Sequence, residues 1–374
     1  MGADVIKVEP PDGDAMRYLT SIAPDESRVY AAINPGKRAI TLDLTSAGSR
    51  PAVDRLLGWA DIALIGVKRA DLARFSLEWQ RIHAVNERLV VLSFNAYGPE
   101  GPDAELGGYD MLAQAVSGLG WSMDRTTDDG APISTRPAFI DFASGSVACA
   151  GVLAALRHRD LTGIGQRVDA SLLGSALTMG TPMFSHFEHD QETSEEVIAD
   201  IAMLRESGVD FATQRRHYES RVLAPGGLFE LFVRVYQTSD GLISVSGFSP
   251  GLRAKFYDVI GAGPLPEGSR PGDPGFDAVI DAADALFASK TTEQSTAMLR
   301  AVGYPCIRFN HPLEALANPQ AEANDYVVDL THPDFGGYRT IGMPFRFSKT
   351  PAAIKGRSPK LGEHNDEVAN ELGW

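Results

Sequence analysis

Residues 139–173 read FIDFASGSVACAGVLAALRHRDLTGIGQRVDASLL, and the order of local signals within them sets the fold class. FIDFASG predicts a turn into a long helix. The many Ala and Gly residues that follow, with Leu153 and Leu156, suit a helix packed closely on several sides. Gly163 and Gly165 break the helix, QRVDA predicts a strand, and SLLGSAL predicts another helix. Toward the N-terminus the same alternation repeats. ADVIKVE (3–9) and RAITLDL (38–44) read as strands, and SAGSRPAVDRLLGWA (46–60) as a helix with Ser46 or Ser49 as its cap. ADIALIG (60–66) is a buried-type strand, LARFSLEWQRIHAVN (72–86) a helix, and LVVLSFNAYG (89–98) another buried-type strand. Strands alternating with helices predict an α/β domain with a largely parallel sheet. YGPEGPDAELGGYD (97–110) is a Gly/Pro-rich loop, MLAQAVSGL (111–119) a small-residue helix, and 123–137 a polar excursion.

The composition shifts after about residue 185. Residues 186–210 are acidic and predict an exposed helical connection. FELFVRVYQTSDGLISVSGF (229–248) places two apolar runs around Ser-Asp-Gly, a hairpin signal. Residues 262–276 form a loop and 277–303 two helices, so 225–310 is expected to be a smaller α+β domain. The tail at 331–351 again has strand character.

The chain has 34 Lys and Arg against 49 Asp and Glu, a net charge of −15. Such a surface repels a phosphate backbone on average, so no nucleic-acid partner is expected. Cys149 and Cys306 form no CxxC pair, which argues against a zinc site or disulfide framework and fits a reducing cytosol. The N-terminal residues hold no apolar stretch of signal-peptide length. No window approaches about 18 uninterrupted apolar residues, so no membrane partner and a cytoplasmic location are expected. P-loop and GxGxxG patterns are absent. HFEH, with His186 and His189, reads as an exposed helix face more readily than as a metal pair, and no metal is expected.

Asp141 stands out among the acids. Phe139, Ile140 and Phe142 flank it, and an acid in apolar company is paired, capping or chemically used. Its place before a helix gives a structural reading as the N-cap. The same oriented N–H groups would stabilise an oxyanion formed when that carboxylate attacks a carbonyl, so both readings stay open on the residues alone.

The chain resembles the class III CoA-transferase family, also called CaiB/BaiF type, which includes 2-methylacyl-CoA racemases. GADVIKVEPPDGD (2–14) is similar to that family's opening strand and loop, and NPGKRAITLDL (34–44) to its NxGKRSIxLDL segment. YGPEGPDAELGGYDMLAQAVSGL (97–119) resembles the loop and helix before its active site, and FIDFASG the segment that holds its nucleophilic aspartate. LAALRHRDLTGIGQRVDASLL (153–173) resembles its long LLHRxxTGxGQxVDVSLL signature, and NPQAEANDYV, MPFRFSKTP and LGEHNDEV match near the end. The resemblance implies a Rossmann-like large domain built from both chain ends (1–200 and 325–374), a small domain at 225–310, and a homodimer interlocked like two links. It implies acyl-CoA and a free carboxylic acid as substrates, with coenzyme A a substrate moiety and no permanently bound cofactor.

For the site, the resemblance implies Asp141 as the catalytic nucleophile. Lys37, Arg38, Lys68, Arg74, Tyr109 and Asp110 are implied CoA-binding residues, the cations by charge and fork geometry toward phosphate; for Lys37 and Arg74 a solvated surface charge is the competing reading. Lys68 lies in LIGVKRA (64–70) where the family has ENFRPG. Asp110 is either a group that positions the CoA sulfur or a helix-start cap. Gly226 and Gly227 loosely resemble a glycine loop that covers the site in some relatives, with an ordinary turn as the alternative. Racemases place a histidine where Tyr109 stands here, and a phenol with an ordinary pKa near 10 is a poor base at neutral pH, which favours transfer over racemisation. The resemblance begins past the family's first strand and helix, which help to form the CoA pocket. A non-catalytic CoA-binding protein is therefore the third reading.

Overall fold

The structure is a computed structural model, and it describes residues 2–122, 125–185, 187–188, 191–222, 231–266, 268–269 and 271–374. His186 and His189, and Gly226 and Gly227, lie outside the described residues. Contacts divide the chain into two units, residues 1–185 with 318–374, and residues 186–317.

The first unit is built on parallel strands. β1 (Ile6–Glu9) pairs in parallel with β4 (Arg38–Thr41), and between them lie a short hairpin, β2 (Ser21–Ala23) and β3 (Glu26–Ser27), and helix α1 (Arg28–Ile33). A second parallel group has the order β5 (Ile62–Ile65), β6 (Val90–Asn95), β7 (Arg167–Ser171). The crossovers are helical: α2 (Arg50–Trp59) joins β4 to β5, α3 (Trp79–Val85) joins β5 to β6, and α4 (Asp110–Ser117) and α5 (Phe139–Thr162) join β6 to β7. After β7 come α6 (Leu172–Met179) and α7 (Thr181–Phe184). Val53, Leu57, Ile65, Ile82, Leu89 and Val91 form one core beneath β5 and β6, and Val90, Leu92, Ala148, Val152 and Ala155 form another between the sheet and α5. Parallel strands buried on both faces read as continuous apolar runs, as 89–92 does.

Three local expectations change. Ser46 does accept from the Gly48 N–H, but it caps a 3-10 turn (Ala47–Ser49), while Ser49 makes no side-chain cap for α2. The helix expected over 72–86 is confined to α3, because Ser76 takes a positive φ of 60° and the Leu77 N–H returns to the Leu72 carbonyl at 2.8 Å. Most importantly, α5 is not packed on several sides. It buries one narrow stripe, Ile140, Ser144, Ala148, Val152 and Ala155, at helical spacing, and leaves Leu153 53% and Leu161 68% exposed. α5 is also long and apolar enough to cross a membrane by length and composition alone, a feature that uninterrupted apolar runs do not reveal because Asp141 and the small polar residues break it up.

The chain's end closes the outer edge of β4. The Ala39 N–H donates to His364 Nδ1 at 3.1 Å and the Thr41 N–H to Asn365 Oδ1 at 2.8 Å. This covers strand groups that would otherwise template foreign pairing. A buried knot lies nearby: Arg17 grips Glu9 through two 2.7 Å bonds, touches Tyr30 Oη at 2.5 Å, and donates to the Asp25 and Pro359 carbonyls. Burial alone would raise the Glu9 pKa, but the Arg17 bonds and charge hold it below the ordinary value. The hairpin β11 (Val327–His332) and β12 (Gly336–Ile341) and the C-terminal helix Asn365–Leu372 complete the unit.

The second unit holds the acidic helix α8 (Gln191–Glu206), α9 (Phe211–Val222) and an antiparallel sheet of β8 (Val233–Gln237), β9 (Leu242–Ser246) and β10 (Cys306–Arg308). The expected hairpin is β8–β9. Its aromatic core is Phe232, Tyr236, Phe256, Phe287 and Tyr304, with rings such as Phe232 and Phe256 meeting edge-on at 5.5 Å.

Candidate active site

In an open parallel sheet, ligands meet the carboxyl ends of the strands. Helices that cross back between parallel strands place their N-termini at those ends, and so α5 brings Asp141 to the end of β6. β6 leads into Ala96 and Tyr97, which pack with Ala113, Ile140 and Leu172 in a small core under the start of α5. Gly108 is required here. A Cβ on it would lie 2.5 Å from the Ala96 Cβ and 3.1 Å from the Tyr97 hydroxyl. This close approach seats the loop 97–109 on the strand end and delivers Tyr109 and Asp110 to the same place.

Asp141 is not the N-cap of α5. The helix starts at Phe139, the cap residue is Ala138, and Ala138 has no side-chain acceptor. The acceptor comes from α4 instead. Asp110 Oδ2 accepts from the Ile140 N–H at 2.7 Å and from the Asp141 N–H at 3.1 Å. The helix can therefore begin two residues before Asp141, which leaves that carboxylate in the first turn with no hydrogen bond to its oxygens among the described residues. A second consequence corrects the expected oxyanion site: those two N–H groups are already occupied by Asp110. The Asp141 side chain is open to solvent on one side. Even so, loss of hydration around the helix start and, secondarily, the Asp110 charge push its pKa above the ordinary aspartate value.

Asp110 is 4% exposed and is held from its other oxygen by Gln114 Nε2, one helical turn on. Gln114 is fully buried. Its Oε1 accepts from the Thr135 N–H at 3.0 Å, which fixes the amide with its nitrogen toward Asp110. Sequence reasoning passed over Gln114. The signal was present as an Asp–Gln pair spaced i, i+4 in an otherwise apolar helix.

The remaining predicted residues divide into two groups. Lys68 follows β5, and its Cε lies 3.3 Å from where a Gly107 Cβ would sit, so its side chain runs along the loop that carries Tyr109 and Asp110. It has no ion pair among the described residues. Tyr109 is 76% exposed. Asp141, Asp110, Tyr109 and Lys68 thus gather at one strand end. The other three show no contact with this group. Lys37 Nζ donates to the Ile33 carbonyl at 3.0 Å and to Asn34 Oδ1 at 2.9 Å, and burial, with the Lys7 charge, lowers its pKa. Arg38 is occupied by Asp4, Glu367 and Glu371. Arg74 pairs with Asp71 at 3.3 Å and lies over the Phe75 ring. Cavities of about 370 Å³ by Arg28 and Tyr338 and about 230 Å³ by Thr41 and Trp374 lie in the same unit, and neither is lined by Asp141 or Asp110. No group of three His, Cys, Asp or Glu is placed to hold a metal among the described residues.

The geometry is that of an unpaired carboxylate at a helix start, available to act as a nucleophile. Comparison with known proteins gives the same direction. Residues 1–365 match the family model described as CoA-transferase family III. A formyl-CoA:oxalate CoA-transferase of Streptomyces coelicolor is 28% identical, covering 100% of this chain and 89% of the relative. The beta subunit of a succinyl-CoA–L-malate CoA-transferase of Chloroflexus aurantiacus is 27% identical, covering 99% and 87%. A crystal structure of a CaiB/BaiF family protein from Brucella suis superposes with a TM-score of 0.70 at 27% identity, covering 99% of this chain and 92% of the other. The chain belongs to CoA-transferase family III.

Proposed function

We propose that this enzyme moves CoA from an acyl-CoA to a free carboxylic acid by covalent catalysis at Asp141. The observation that carries the reading is the Asp141 carboxylate itself, left without a hydrogen-bond partner among the described residues while its neighbour Asp110 takes the helix N–H groups. In the first step an Asp141 oxygen attacks the thioester carbonyl, the C–S bond breaks, and CoA leaves as thiolate. The thiolate then attacks the aspartyl carbonyl of the mixed anhydride and releases the donor acid, leaving an aspartyl–CoA thioester. The acceptor carboxylate attacks that thioester, expels the thiolate and forms a second anhydride. Attack of the thiolate on the acceptor carbonyl then gives the new acyl-CoA and frees Asp141. Each exchange trades acyl bonds of similar energy, so a carboxylate nucleophile suits both directions.

Lys68, beside the loop of Tyr109 and Asp110, is the cation best placed to meet CoA phosphate. Lys37, Arg38 and Arg74 remain proposed CoA contacts, but Arg38 would have to exchange its carboxylate partners for phosphate. The acceptors named for the relatives, oxalate and malate, make small dicarboxylic acids the first to test. We also propose a cytoplasmic homodimer, supported by the apolar side chains that α4 and α5 leave open, among them Met111, Val116, Leu153 and Leu161.

The test incubates the protein with succinyl-CoA or formyl-CoA and free acids in deuterated water, and follows CoA esters by mass spectrometry. Transfer predicts new CoA esters without α-deuterium, and their loss in Asp141→Ala. Deuterium wash-in at C2 of a 2-methylacyl-CoA, run in parallel, without exchange would establish racemisation instead, and neither outcome would leave CoA binding without catalysis.

A further inference from the structure

We propose that Gln114 is a positioning residue that locks the Asp110 carboxylate against the first turn of α5 and so fixes both the orientation and the charge environment of Asp141. This deepens the reading of Asp141 as the nucleophile and rests on it.

An ionised carboxylate only accepts, and an amide both donates and accepts. Gln114 Oε1 takes the Thr135 N–H at 3.0 Å, so Nε2 has one orientation left, toward Asp110. Asp110 then has one oxygen held by Gln114 and the other shared by the Ile140 and Asp141 N–H groups. The two side chains at the centre of the relay are buried, Gln114 at 0% and Asp110 at 4% exposure, so water is a poor substitute for the bond between them. The relay fits an anion at position 110 better than an amide. In Asp110→Asn, an amide that accepted from α5 through its oxygen would turn its NH₂ toward the NH₂ of Gln114, and Gln114 could swing away only by losing the Thr135 N–H. The arrangement therefore keeps a negative charge beside Asp141 and keeps the helix N–H groups from binding Asp141 itself. The like charge raises the proton affinity of Asp141 and with it the nucleophilicity of its carboxylate, and the occupied N–H groups keep that carboxylate from capping its own helix.

The test titrates Asp141 directly in protein labelled with ¹³C at the aspartate Cγ, its signal assigned by Asp141→Asn. Asp110→Asn and the near-isosteric Gln114→Met are compared with the unaltered chain, each checked for folding by circular dichroism. Removing the fixed like charge is expected to lower the Asp141 pKa by about 0.5–1 unit in Asp110→Asn. A smaller shift of the same sign is expected in Gln114→Met as Asp110 loses its anchor. Where CoA exchange is measured, the acidic limb of kcat/KM should move down in pH by the same amount. An Asp141 titration that stays in place in the folded variants overturns the proposal, whatever their rates, because a purely structural role for Gln114 lowers stability without moving that pKa. If one variant does not fold, the other decides. A titration that moves in a protein without exchange activity would retain the relay and remove the transferase reading.

Discussion

Asp141 and Asp110 divide two duties that the sequence assigns to one residue. From the sequence, Asp141 is visible as an acid among Phe and Ile before a helix, and both capping and chemistry fit it. The structure separates them because the capping acceptor arrives from 31 residues upstream, a distance over which no local pattern is legible. The raised pKa has a consequence for stability. Removing hydration and placing a like charge nearby penalise ionised Asp141 in the folded state, so the fold is favoured below the ordinary aspartate pKa and loses that contribution as pH rises through the raised value. Asp141→Asn should therefore stabilise the fold slightly at pH 7, by roughly a few tenths of a kcal/mol given solvent screening of this open side chain, with the gain disappearing in acid. Thermal melts at pH 7 and pH 4 check this, and equal gains at both would contradict it. One turn below, the buried Ser144 hydroxyl has no hydrogen-bond partner among the described residues. Ser144→Ala is expected to leave stability unchanged or improve it by up to about 1 kcal/mol, and a clear loss in denaturant titration would show that the hydroxyl has a partner.

At the scale of elements, the strands and most helices were legible because apolar runs of four to six residues between Gly, Pro and Asn leave few alternatives. Residues 10–36 were not legible. Their hairpin and α1 are organised around Arg17, whose partners include Glu9 and a carbonyl at Pro359, 342 positions away. Within the single chain α5 buries one stripe and leaves Leu153 and Leu161 open, since Ala and Gly tolerate close packing without requiring it on every face. The loop before α4 provides the sharpest element-level prediction. Gly108→Ala would drive a methyl into Ala96 and Tyr97, at a cost of about 1–3 kcal/mol. It should also lower CoA exchange more than stability alone explains, because Tyr109 and Asp110 move with it. A variant with unchanged melting and unchanged exchange would show that the loop relaxes freely.

Across the whole molecule, contacts group residues 318–374 with 1–185; the resemblance implies a return of 325–374 to the domain begun by 1–200, and no periodicity announces such a long-range return. The bonds that tie His364 and Asn365 to the β4 backbone give that return its physical basis. The open apolar face of α5 leads to a prediction about assembly. Leu153→Arg should shift the protein toward monomer in analytical ultracentrifugation while preserving its circular dichroism, and an unshifted dimer would place the interface elsewhere. Covalent transfer through Asp141 leaves a chemical trace. Quenching the enzyme during turnover with succinyl-CoA and mapping the adduct by peptide mass spectrometry should find a CoA thioester on the peptide containing Asp141, absent from Asp141→Ala. CoA exchange that persists in Asp141→Ala would contradict such transfer.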